Sequence, residues 1–265
     1  MDLQEIYQIK DEIQQIEKTY EVFQEDTRLN RSRAARVEFL TNVRYIEQEL
    51  PPKGRILDVG AGAGEYSLYF SRKGYEVCAL ELTQANLRAF RRKLRPEDPI
   101  QLTQGNAIDL SRYADESFDA VLVFGPLYHL HRWEDQQKCI AEAKRVCKPG
   151  GRLFFAFICN DMVILTEFAY RPDFFANGEY DKDTFKLEDF PFVFRTVADC
   201  RSILRAGGIH ILHEVASDGA SELMADRINA MNDADYAQYL RYHQYLCEKP
   251  EFLGMSNHLL FVGEK

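Results

Sequence analysis

The segment that most constrains this chain is Arg55-Ile56-Leu57-Asp58-Val59, which runs straight into Gly60-Ala61-Gly62-Ala63-Gly64. The apolar run reads as a buried strand. Glycine at every second position beyond it lets the backbone turn sharply and leaves no side chain between main chain and ligand. From Arg55 onward, short apolar runs alternate with amphipathic stretches, the pattern of βαβ units on a parallel sheet. Strands are predicted at 55–59, 76–81, 100–104, 118–124 and 151–158, with helices at 64–73, 84–94 and 133–147 between them. Gly74 and Pro149-Gly150-Gly151 supply the stops. A helix at 196–206, a strand at 209–216, a helical segment at 220–248 and a strand at 257–263 complete the pattern.

Two flanking regions depart from it. Leu3, Ile6, Ile9, Ile13, Ile16, Tyr20 and Phe23 fall at steps of three and four, which predicts one long helix over 1–25 whose stripe packs on its own domain or forms a dimer seam. A second helix carries Val37, Leu40, Val43 and Ile46 and stops at Pro51-Pro52. Residues 160–195 crowd aromatics among turn residues, as expected of either a substrate-covering insertion or a satellite core. The domain reading is therefore a helical cap over 1–50 and a main domain over 51–265, with 160–195 and 220–248 as covering elements.

Composition narrows the function. A formal charge of −9 argues against a protein that works by neutralising phosphates. The exception, Arg88, Arg91, Arg92, Lys93 and Arg95, reads as a solvated helix end complementing the helix dipole. The six cysteines form no C-x-x-C pair and have no histidine at ligand spacing, so no metal site or disulfide framework is expected. With no leader-like start and no apolar run of about 20 residues, the expected setting is the cytoplasm, without a membrane partner.

A glycine turn after a first strand serves dinucleotides, phosphates and S-adenosylmethionine alike. This one lacks the later glycine of a dinucleotide fingerprint, and Glu65 at the following helix start disfavours a pyrophosphate while tolerating a ligand ammonium. Asp58 is placed to meet that ammonium or to tie down the loop. Glu81 ends the second strand, where its two oxygens can accept from both ribose hydroxyls, with Leu82 beside it. Asn106 and Ala107 follow the third strand at the adenine position, and Phe124 closes the fourth.

Together these residues resemble the class I, Rossmann-like S-adenosylmethionine-dependent methyltransferases. The similarity spans about residues 30–160, through Asp58–Gly64, Glu81, Asn106-Ala107, Ser117-Phe118-Asp119 and Arg145–Gly151. It implies a doubly wound, mostly parallel seven-stranded sheet with an antiparallel last strand, plus N-terminal helices and an insertion after strand five. It also implies S-adenosylmethionine as cofactor, S-adenosylhomocysteine as product, and a site built from Asp58, Gly60, Ala61, Gly62, Glu81, Leu82, Asn106, Ala107 and Phe124. Where the family often has Asp against adenine, this chain has Asn106. Gly125-Pro126-Leu127-Tyr128-His129-Leu130 looks like the segment after strand four in a bacterial small-molecule branch, not the Asn/Asp-Pro-Pro-Tyr/Phe segment of nucleic-acid amino-methylating enzymes.

The expected acceptor is thus a small molecule rather than nucleic acid, and the expected state a monomer or homodimer. For a hydroxyl or ammonium acceptor, His129 is the candidate base with Tyr128 beside it, against a purely structural His129. His131, His210, His213, His243 and His258 are assigned no role. Two other readings stay open. One is a nicotinamide-dependent oxidoreductase, for which Tyr69-x-x-x-Lys73 has the spacing but the wrong helix; the other is a non-catalytic S-adenosylmethionine-binding sensor.

Overall fold

The central strands are apolar at consecutive positions because helices cover both faces of the sheet. The computed structural model describes residues 3–22 and 26–265. Its strands are β1 (Arg55–Val59), β2 (Glu76–Glu81), β3 (Ile100–Gln104), β4 (Phe118–Val123), β5 (Cys147–Cys159), β6 (Phe194–Arg195), β7 (His210–Ala216) and β8 (His258–Glu264). Its helices are α1 (Leu3–Tyr7), α2 (Glu12–Val22), α3 (Arg33–Glu49), α4 (Glu65–Arg72), α5 (Gln84–Lys93), α6 (Trp133–Val146), α7 (Asn160–Tyr170), α8 (Phe174–Asn177), α9 (Val197–Ala206), α10 (Ala225–Asn229), α11 (Asp233–Leu246) and α12 (Pro250–Leu253).

The sheet order is β3-β2-β1-β4-β5-β8-β7. β1 to β5 are parallel neighbours, and β8 runs antiparallel between β5 and β7. Reversal of strand order beside β1 and β4 leaves a crevice at their carboxyl ends, the place where open α/β sheets bind ligands. In β4, Val121 and Val123 enter one core with α6 and α9, while Ala120 and Leu122 enter the other with α3 and α4. No helix among the described residues is long and apolar enough to cross a membrane.

The seven expected strands are present, and an eighth, the two-residue β6, pairs with the end of β5. The long helix expected over 1–25 is instead two: α1 ends where the Gln15 amide reaches the Ile6 and Ile9 carbonyls, and Asp11 Oδ1 accepts the Gln14 N–H to start α2. Of its stripe, Ile6 is buried and Ile13 is half exposed; Phe23 and the Leu3 side chain lie outside the described residues. The segment 220–248 is likewise split, because Asn232 caps a new helix by accepting the Asp235 N–H at 2.9 Å. Residues 160–195 open with α7, and Ile164, Phe174, Tyr180 and Leu187 make a small core there.

Candidate cofactor and acceptor site

The glycine turn is shaped by its neighbours. The N–H groups of Gly60 and Ala61 donate to the Leu80 carbonyl at 2.8 and 3.0 Å, which pins the turn to the end of β2. Gly60 has φ +78°, and a Cβ there would stand 2.6 Å from Pro126 Cδ, so the loop after β4 packs against bare backbone. At Gly64, with φ +85°, a Cβ would meet the Phe90 ring at 2.4 Å. Both positions require glycine.

Glu81 is buried and fully engaged. One carboxylate oxygen accepts from Thr83 N and Thr83 Oγ at 2.8 Å each and from Asn86 Nδ2 at 3.3 Å; the other accepts from Gly62 N at 2.8 Å. Burial raises its pKa against the pull of these donors. Thr83 and Asn86 had no sequence signal beyond an N-cap pattern, yet they hold the carboxylate at the crevice. Asp58 is buried too. Its Oδ2 accepts from Ser67 Oγ at 2.6 Å, and its Oδ1 has no hydrogen-bond partner among the described residues. Burial lifts its pKa to about 7, opposed by Ser67 and helped by the charge of Glu81.

An unsatisfied buried carboxylate oxygen beside a glycine turn fits a ligand ammonium. Asp58, Gly60, Ala61 and Gly62 line one end of the crevice. Gly60, Gly62, Glu81, Leu82, Asn106, Ala107 and Phe124 line its continuation, with Tyr128 and His129. All nine predicted cofactor residues therefore converge on one crevice. Asn106 spends its carbonyl on the Ile108 N–H at 3.2 Å, which leaves its amide nitrogen as the polar group for a base edge. Glu65 forms an ion pair with Lys93 at 2.6 Å, so its charge is already matched, and Lys93 is part of the site's support rather than a solvated helix end.

The roof of the crevice comes from the 1–50 segment read as a cap, although no motif singled out the residues concerned. Ile16 and Tyr20 of α2 line it, narrowing it to about 80 Å³. The Glu17 carboxylate accepts the Gln84 N–H at 2.9 Å, fastening α2 to the start of α5. The Tyr20 hydroxyl lies 2.7 Å from His129 Nε2. Burial, with a smaller push from His131 and an opposing Pro191 backbone contact, lowers His129 to a pKa of about 3. It is neutral at physiological pH and a weak base, better suited to positioning Tyr20. Tyr69 and Lys73 both turn to Glu47, at 2.8 and 3.0 Å, and neither lines the crevice.

A second cavity of about 750 Å³ adjoins the first, walled by α3, α10 and the ends of β5 and β8. Tyr128 lines this cavity and both ends of the crevice. Glu38, Asp218 and His258, far apart in sequence, meet on its wall.

The doubly wound sheet, the glycine turn and the acidic residue at the end of β2 make a Rossmann-like α/β fold with a ligand crevice at the carboxyl ends of β1 and β4. Residues 57–155 match the family described as "Methyltransferase domain". It is 34% identical over 113 residues to a putative methyltransferase of Bacillus subtilis, covering 42% of this chain and 45% of the relative. It is 40% identical over 106 residues to a demethylmenaquinone methyltransferase of Renibacterium salmoninarum, covering 40% and 41%. The matched stretch spans less than half of either relative. The fold is shared more widely: a solved Pyrococcus horikoshii structure superposes with a TM-score of 0.61 at 18% identity, covering 93% of this chain and 98% of that one.

Proposed function

We propose that this chain transfers a methyl group from S-adenosylmethionine to a small-molecule acceptor held in the 750 Å³ cavity. The observation that carries the reading is the position of Tyr128, which lines the cofactor crevice at both ends and the larger cavity as well. S-adenosylmethionine, when bound, supplies a methyl group already activated by its sulfonium, so the chain's task is to align the acceptor and exclude water. In this reading Glu81 holds the ribose hydroxyls, Asp58 the ammonium and Asn106 the adenine edge. Ala107, Leu82 and Phe124 bound the apolar walls. Tyr128 stands where donor and acceptor meet; His129 acts through Tyr20, as a positioning residue.

The cap is formed by α1 and α2 with the 160–195 segment, joined by an edge contact of Tyr7 with Phe190 at 4.7 Å. Their opening admits ligands, and their closure keeps water out. A charge of −9 supports a small acceptor over nucleic acid, and the relative named for demethylmenaquinone is consistent with that class. Six free, buried cysteines support a reducing, cytoplasmic setting, with the chain acting as a monomer or homodimer. The test is transfer of labelled methyl from S-adenosylmethionine into a metabolite extract. Label in a small molecule is expected; none in any fraction, with cofactor bound, would favour a sensor instead.

A further inference from the structure

His258 opens β8 opposite Ile158 of β5, at the ligand edge of the sheet. It lines both the large cavity and the end of the crevice that holds Asp58. Its Nδ1 lies 2.7 Å from Asp218 Oδ2 and 3.4 Å from Glu38 Oε2. Asp218 is itself fixed, since its Oδ1 accepts from Ser256 Oγ at 2.6 Å and from the His258 N–H at 3.0 Å. A carboxylate anchored in this way fixes the ring's orientation and keeps the proton on Nδ1, so Nε2 is the nitrogen left for a ligand. The side chain is 23% exposed, enough to be reached from the cavity.

We propose that His258, oriented by Asp218 and Glu38, anchors a methyl acceptor that carries an anionic oxygen, with Arg31 as a second cationic contact. This rests on the methyltransferase reading above and names the acceptor's chemistry. The carboxylates of the wall are already engaged: Glu38 accepts from Arg28 at 2.6 Å, Asp218 from His258, and Glu222 from Asn257 Nδ2 at 2.7 Å and Tyr170 at 3.2 Å. Arg31 lines the same cavity and has no ion-pair partner among the described residues. The three carboxylates of the wall are balanced by Arg28, Arg31 and His258, and the charged donors not already spent on a carboxylate are Arg31 and the Nε2 edge of His258. Burial and Arg28 push the His258 pKa down, but Glu38 and Asp218 outweigh them and hold it at about 9, which makes it a charged donor at neutral pH. The ligand atoms of Glu38, Asp218 and His258 also lie within 4.8 Å of one another, as a cation would need, but the Arg28 guanidinium already supplies positive charge to Glu38.

The experiment is proton NMR of the histidine ring signals in the full chain saturated with S-adenosylhomocysteine, the His258 signal being identified by its loss in His258→Gln. The probes are benzoate, benzyl alcohol and benzylamine. Benzoate is expected to bind and to move the His258 titration to higher pH, because an anion favours the charged ring. His258→Gln is expected to weaken benzoate about tenfold and Arg31→Gln several-fold, while benzyl alcohol is unaffected. Equal benzoate affinity in wild type and His258→Gln would overturn the proposal, as would a His258 signal that responds to micromolar zinc and not to benzoate. Comparison with 5′-methylthioadenosine, which lacks the amino-acid carboxylate, separates the remaining source of an anionic oxygen. If His258→Gln weakens S-adenosylhomocysteine tenfold and leaves methylthioadenosine and benzoate unchanged, the residue serves the cofactor and the proposal is wrong. Wild-type protein that binds benzoate at His258 yet no S-adenosylhomocysteine would count against the methyltransferase reading and not against this site.

Discussion

Glu81→Gln isolates the contribution of one carboxylate with almost no change in shape. Glu81 accepts from four donors, three on one oxygen and Gly62 N on the other. An amide has a single acceptor oxygen. If that oxygen faces Thr83 and Asn86, the new NH₂ is set 2.8 Å from the Gly62 N–H, donor against donor, and the glycine turn loses its tie. The reverse rotamer sets it against the Thr83 N–H instead, also at 2.8 Å. Either way at least one charge-assisted hydrogen bond is lost, at a cost of about 1.5–3 kcal/mol. A bound ribose loses a charged acceptor as well, so affinity for S-adenosylhomocysteine should fall about 100-fold, on the order of 3 kcal/mol. Isothermal titration calorimetry gives the affinity, and thermal melting without ligand gives the loop's share. If Glu81→Gln binds S-adenosylhomocysteine within about threefold of wild type, the ribose assignment is wrong.

Three further outcomes follow from the same geometry. Gly60→Ala puts a Cβ 2.6 Å from Pro126 Cδ at φ +78°, and should lower the melting temperature and abolish measurable cofactor binding; a variant that binds normally would show that this approach is not needed. Asp58, with its pKa raised to about 7 by burial, must be ionised to meet an ammonium, so affinity for S-adenosylhomocysteine should fall as pH drops below 7; Asp58→Asn should bind weakly with no such slope, and an unchanged slope would exclude Asp58 as its origin. His129 is depressed to about 3, so the folded protein stays neutral where the unfolded chain takes up a proton below its ordinary value near 6.5. Its share of stability is present above that value and is lost as pH falls towards 3, and melting of His129→Gln from pH 7 to pH 4 should show a shallower decline than wild type.

Much of this was legible because it is local. A strand is confined to a few apolar residues, and the glycine turn, Glu81 and Asn106 each follow one directly, so predicted and observed strand ends differ by a few residues. The failures have physical causes. The stripe of 1–25 kept helical spacing across a break, although Asp11 three residues before Gln14 is a capping pattern and Asn232 before Asp235 is another. α7 was missed because Met162, Val163, Ile164 and Leu165 extend the apolar run of β5 without a period to separate strand from helix. Tyr128-His129 was found from its place after β4, but burial of His129, which decides its chemistry, depends on Tyr20 from a distant helix. The Glu38–Asp218–His258 group was invisible for the same reason: only the antiparallel pairing of β7 with β8, and the packing of α3 over β8, bring those residues together.

The most direct measurement of the central claim is a pair of titrations on wild-type protein, one with S-adenosylhomocysteine and one with NADH. Binding of S-adenosylhomocysteine that is weakened about 100-fold in Glu81→Gln and lost in Gly60→Ala, with no comparable binding of NADH, is the predicted result. Tighter binding of NADH than of S-adenosylhomocysteine would contradict the account.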